Sequence, residues 1–136
     1  MIITFKKGDD KQLSAHFNSK EFECSCKKCD QDLQYIDQDL VAKLEKVRME
    51  YGEGIIITSG YRCPHHNQEV GGKQNSSHMA GLAADIVPKR KTLDDLDNLY
   101  DLCYTEFDNI GDGRKEGFIH IDTRPAKKTG KRRWIY

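Results

Sequence analysis

Three short apolar runs set the architecture open to this chain. "GIIITSG" (54–60), "LAADIV" (82–87) and "FIHID" (118–122) are each too short for a helix and are bounded by glycine or polar residues. Runs of that length, rich in β-branched residues, read as buried strands. The third run carries more information. Its side chains alternate, so Ile119 and Ile121 face one side of a strand while His120 and Asp122 face the other. Two apolar residues bind that strand to a core, and two chemically active residues share its opposite face.

Helical segments separate these runs. From Asp37, Leu40, Val41, Leu44 and Val47 recur at helical spacing, and Gly52 and Gly54 end the pattern. "TLDDLDNLYDLCYTEF" (92–107) repeats it with Leu93, Leu96, Leu99, Leu102 and Cys103. "CPHHNQEVGG" (63–72) reads as a short helix, with Pro64 in its first turn and Gly71-Gly72 as its stop. "NSKEFEC" reads as a helical turn capped by Asn18 or Ser19, with Glu21 behind. "MIITFKK" at the start and "RRWIY" at the end read as further strands. Helices and strands mix without a strict βαβ rhythm. The expected fold class is α+β, a small and mainly antiparallel sheet flanked by helices.

A length of 136 residues fits a single domain spanning 1–136, with a basic C-terminal tail over 126–136. Lys+Arg and Asp+Glu balance at 22 each, so whole-chain charge argues for neither nucleic acid nor membrane as a partner. The basic "KKTGKRRWIY" reads either as a solvated tail or final strand, or as a contact surface for an anionic polymer. No apolar stretch is long enough to span a membrane, and "MIITFKKGDDKQ" lacks a signal-peptide core. The chain is therefore expected to be made in the cytoplasm and to act outside only if something releases it.

Five cysteines cannot all pair with one another. Cys24, Cys26 and Cys29 form a tight C-x-C-x2-C cluster, followed by Cys63 and Cys103. One reading is a structural zinc site built from three or four of Cys24, Cys26, Cys29 and Cys63. The other is a set of reduced, partly buried thiols.

The chemistry concentrates elsewhere. His78 and Asp85 lie in "NSSHMAGLAADI", separated only by small or apolar residues. Gly81, Ala83 and Ala84 keep the intervening turn small, so both side chains can reach one ion. An unpaired Asp85 carboxylate would be costly to bury on a strand, and a cation removes that penalty. With His120 they make three nitrogen and oxygen donors. That is the count of a catalytic zinc site with a fourth position for water. The plainer alternative is a structural His–Asp hydrogen bond at a strand end.

"SGYR" (59–62), "SSHMAGLAAD" (76–85) and "FIHID" occur in that order, and the middle segment matches the pattern S-x-H-x-x-G-x-A-x-D at Ser76, His78, Gly81, Ala83 and Asp85. On these motifs the chain resembles the zinc D-Ala-D-Ala carboxypeptidase and endopeptidase family of murein peptidases. That family belongs to the group that also holds lysostaphin-type peptidases and the hedgehog signalling domain. "CPHHNQEVGGKQNSSH" and "HFNSKEFECSC" look like its small phage and bacterial branch, so the resemblance runs over about residues 16 to 124.

The resemblance implies Zn2+ on His78, Asp85 and His120, Arg62 steadying the oxyanion, and Ser76 lining the substrate pocket. Each has a plainer reading: a surface ion pair for Arg62, a turn cap for Ser76. Relatives carry their general base two or three positions before the last zinc histidine, but Gly117 and Phe118 stand there. Asp122 is the favoured substitute and Glu116 the second, although Asp122 also suits the role of a carboxylate orienting a zinc histidine. His65 and His66 read as polar residues near the cleft or as ligands of a second site, and His16 is uninformative.

The expected function is a zinc metallopeptidase cutting peptidoglycan stem peptides or cross-links, working as a monomer. It suits a phage lysis or tail enzyme, released by a holin or delivered with the virion, or a prophage product. The alternative is a weak or inactive zinc-containing binding module of the hedgehog type. A cysteine-cluster zinc protein binding nucleic acid through its basic tail would leave His78, Asp85 and His120 unexplained.

Overall fold

A computed structural model describes residues 1–27, 29, 33–125 and 130–136. Ala126, Lys127, Lys128 and Thr129, the first part of the basic C-terminal segment, lie outside the described residues.

The chain is α+β with two sheets. Strands β1 (Ile2–Lys6) and β2 (Leu33–Asp37) pair antiparallel as a ribbon. The larger sheet holds β3 (Ile55–Ser59), β4 (Ala83–Pro88), β5 (Asn109–Gly113), β6 (Phe118–Asp122) and β7 (Arg132–Ile135). Their order is β3-β4-β6-β5-β7. Every pairing is antiparallel except β5 with β7, which is parallel.

Two long helices cover one face. α2 (Gln38–Tyr51) starts where the Asp37 carboxylate accepts the Asp39 N–H and stops at Gly52, whose φ of 77° is left-handed. It buries Leu40, Val41, Leu44 and Val47, the residues its periodicity marks. α4 (Leu93–Glu106) is capped by Thr92, which accepts the Asp95 N–H, and Asp94 and Asp95 sit at its positive end. It buries Leu96, Leu99 and Cys103, whereas Leu93, expected on the apolar face, is 78% exposed in the first turn. Ile86, Ile110, Ile119 and Ile121 meet these helices with no exposed surface. α1 (Ser19–Phe22) carries the expected capping box, with Asn18 as cap and Glu21 reaching back. α3 (Pro64–Glu69) begins at Pro64 as its ring geometry favours. No helix among the described residues is long and apolar enough to cross a membrane.

Two strands escape the sequence reading. β2 reads "LQYID", a short segment of mixed polarity whose last residue, Asp37, doubles as the cap of α2. β5 reads "NIGDG", a composition that signals a turn. It is a strand because its glycines leave room. A Cβ on Gly111 would come within 2.7 Å of the Trp134 ring, and one on Gly113 within 2.5 Å of the Phe118 ring.

Candidate metal and active site

Register decides the site. The β4–β6 pairing sets Asp85 directly opposite His120, with Ile86 opposite Ile119 and Ala84 opposite Ile121. Because side chains alternate, the aliphatic residues share the helix-covered face and Asp85 and His120 share the other. His78 arrives from the loop before β4. Its turn depends on Gly81, whose φ is 77° and where a Cβ would lie 2.6 Å from the Tyr35 backbone.

The three side chains converge. His78 Nε2 lies 3.4 Å and His120 Nδ1 2.9 Å from Asp85 Oδ1. One donor atom from each residue falls within 4.8 Å of the others. The imidazole rings sit edge to face, 5.2 Å apart, and both histidines are buried.

The remaining hydrogen bonds orient the rings. His78 Nδ1 lies 2.9 Å from the Gly60 carbonyl oxygen and His120 Nε2 lies 2.8 Å from Asp122 Oδ2. The Gly60 carbonyl can only accept, so His78 Nδ1 donates to it, while His120 Nε2 faces the Asp122 carboxylate. Held this way, each ring turns its other nitrogen toward Asp85, where a cation could replace the protons that hold the carboxylate in the metal-free chain. Three N/O donors with outward hydrogen bonds fit a tetrahedral divalent ion with one open position.

Metal-free electrostatics give the same picture. Burial raises the Asp85 carboxyl, but hydrogen bonds from His120 and His78 outweigh it and hold the group well below its ordinary value. Burial lowers His120, but the carboxylates of Asp122 and Asp85 prevail and raise it. The site stores negative charge that attracts either a proton or a metal.

Arg62 stands beside this group. Its Nη2 lies 3.8 Å from Asp85 Oδ2 and donates to Ser59 Oγ at 3.3 Å, and its Nη1 donates to Asn67 Oδ1 at 3.0 Å. Asn67 is 4% exposed and also donates to the Lys73 carbonyl, so it holds the guanidinium in place. Ser76 is half-buried, and its Oγ accepts the His78 N–H at 3.2 Å, the geometry of a turn cap.

Asp122 sits behind His120, away from the point of convergence, with a side chain of zero exposure. Oδ1 accepts the Arg124 N–H and Nε–H, and Oδ2 accepts Arg124 Nη2 as well as His120 Nε2. The strand does place His120 and Asp122 on one face, as the alternation requires, but buried rather than displayed. Both Asp122 oxygens are engaged, which conflicts with its reading as the base. Glu116 is exposed on the 3-10 turn Arg114–Glu116.

The aromatic wall is absent from the sequence reading. Trp134 on β7 lies 5.2 Å from the His120 ring, Tyr136 packs on Phe118 at 4.9 Å, and the Arg124 guanidinium carbon stands 5.7 Å from the Trp134 ring. Burial, aided by the Asp85 and Asp122 carboxylates, raises the Tyr136 phenol. Neither Trp134 nor Asn67 belongs to a local pattern, so only pairing of distant segments reveals them.

The cysteines divide. Cys24, Cys29 and Cys63 form one group of close sulfur atoms, while Cys26 joins His66 and Glu69. Of the four cysteines considered for a structural site, three come together and Cys26 stands apart. His65 pairs with Glu69 at the surface, 3.2 Å away.

A family model described as Peptidase M15 matches residues 15–122, a span that includes every candidate ligand, Arg62 and Asp122 and ends before β7. Comparison with curated proteins gave no match.

Proposed function

The chain belongs to the peptidase M15 family, and from that premise we propose a zinc-dependent peptidase that hydrolyses peptide bonds in peptidoglycan stem peptides or cross-links. The observation that carries the zinc assignment is the convergence of His78, Asp85 and His120, with the far nitrogen of each imidazole held by the Gly60 carbonyl or the Asp122 carboxylate. The peptidoglycan assignment rests on the motif resemblance.

In this reading His78 Nε2, Asp85 and His120 Nδ1 hold the ion. Zinc bound there supplies Lewis-acid polarisation of the scissile carbonyl and a water of near-neutral pKa. The Arg62 fork, held by Asn67 and Ser59, presents a fixed positive charge to the carbonyl oxygen as it turns into an oxyanion. Asp122 is assigned to orientation, because its oxygens already serve His120 and Arg124. Ser76 caps the His78 turn. Trp134 and Tyr136 form the wall against which a peptide lies. A base other than Asp122 would take the proton of the attacking water and return it to the leaving amine, and Glu116 is the remaining acidic candidate from the sequence.

A mass-spectrometric digest tests this. Purified peptidoglycan and soluble stem peptides are incubated with zinc-loaded protein, with a chelated control and with a His120→Ala control. Fragments made only by intact, metal-loaded protein support the peptidase, and their masses name the bond. The engagement of both Asp122 oxygens favours a second reading, a zinc-containing module that binds such peptides without cutting them. Bound zinc with no fragment from any of these substrates would select it.

A further inference from the structure

We propose that Cys24, Cys29 and Cys63 hold a second metal ion, a thiolate-bound zinc that pins the catalytic strand-to-helix turn to the N-terminal segment. Their sulfur atoms lie within 4.8 Å of one another. Cys24 and Cys63 have no exposed surface and Cys29 is half-buried. All three are free thiols.

Each sulfur already accepts an N–H. The Cys63 backbone donates to Cys24 Sγ at 3.4 Å, the His66 backbone to Cys63 Sγ at 3.3 Å, and Gln34 Nε2 to Cys29 Sγ at 3.7 Å. Thiolates accept such bonds more strongly than thiols, because the acceptor is charged. Gln34 is a fully buried polar side chain, and its Oε1 also accepts the Cys24 N–H at 2.8 Å. It bridges two of the three cysteines, a use of a buried amide that inert core thiols do not require. Cys103 supplies the contrast. It is equally buried on α4, and among the described residues no hydrogen bond reaches its sulfur.

Three soft sulfur donors select zinc over hard cations and supply three of the four ligands of a tetrahedral site. Cys26 is outside the set, with its Sγ 3.8 Å from Glu69 Oε1. The placement has a consequence for the active site. Cys63 directly follows Arg62, and two residues earlier Tyr61 donates its N–H to the Phe22 carbonyl at 2.7 Å. Gly60, whose carbonyl orients His78, approaches the Phe22 backbone so closely that a Cβ would lie 2.6 Å from it. An ion on Cys24, Cys29 and Cys63 locks this same seam. The assignment stands independently of the peptidase reading.

Metal counting and cobalt substitution of the reduced 136-residue chain test it. The expected result is two metals in the wild type. His120→Ala keeps one, with the near-ultraviolet thiolate-to-cobalt charge-transfer absorption. Cys63→Ser and Cys29→Ser, the latter at the half-buried rim, keep one without that absorption. Cys26→Ser keeps two. Reduced wild type that shows no thiolate-to-cobalt charge-transfer absorption, whatever its metal count, would overturn the proposal without recourse to any variant. So would charge-transfer absorption that survives both serine variants, or loss of a metal in Cys26→Ser.

Discussion

Asp122 separates two chemistries that look alike in a simple activity assay. As a base, its replacement by asparagine would lower kcat and leave metal binding untouched. As the carboxylate that orients His120 from behind, its loss weakens the metal site first. Asp122→Asn is therefore expected to reduce zinc affinity by about 10–100-fold, with excess zinc restoring most of the rate. Parallel zinc titration and peptide digestion decide it, and full zinc affinity in a dead variant would return Asp122 to the role of base. Arg62 predicts the opposite pattern. Arg62→Ala is expected to lower kcat by about 10²–10³-fold with zinc retained. Arg62→Lys should recover little, since the guanidinium spans Asn67, Ser59 and the edge of Asp85 at once.

At the scale of elements, the site depends on turns and edges more than on the strands that carry it. Gly81→Ala would force a side chain into a left-handed conformation and against the Tyr35 backbone. The left-handed strain alone costs about 1–3 kcal/mol, and the contact adds to it. Urea denaturation of Gly81→Ala measures the sum, and wild-type stability would show that this turn is not fixed by its glycine. α2, α4, β3, β4 and β6 were legible because each repeats a period, whether helical spacing, an apolar run or the alternation of Ile119 and Ile121 against His120 and Asp122. β5 was not, because Gly111 and Gly113 answer to the Trp134 and Phe118 rings rather than to any local rule. The same holds for the site. His78, Asp85 and His120 lie within recognisable motifs, whereas Trp134 meets His120 only through the parallel pairing of β7 with β5. Trp134→Ala is accordingly expected to raise KM for peptide with zinc affinity unchanged. An unchanged KM would remove β7 from the substrate wall.

Across the whole molecule, formal charges cancel, so pH acts through particular groups rather than through general repulsion. In the metal-free chain burial opposes the charge on His120, yet its two carboxylate partners raise it above the ordinary 6.5. That stabilisation is fully present below pH 6.5 and is lost as pH rises through the higher folded-state value. Asp85 and Asp122 behave in reverse. Burial raises them, but hydrogen bonds from His120, joined by His78 at Asp85 and by Arg124 at Asp122, outweigh it, so both fall below the ordinary 3.8. Their contribution is present above pH 3.8 and is lost as pH falls through the lowered values. The metal-free protein is thus most stable between these limits and weakens on the alkaline side. Ligation needs the His120 Nδ1 lone pair, so zinc displaces the very proton that stabilises the metal-free site. The zinc-induced gain in Tm should therefore be small in mild acid and should grow as pH rises past 6.5. Scanning calorimetry with chelator and with zinc measures that gap, and a Cys29→Ser background isolates the histidine site from the thiolate site. A gap that is constant, or that narrows as pH rises, would mean that His120 does not exchange its proton for the ion.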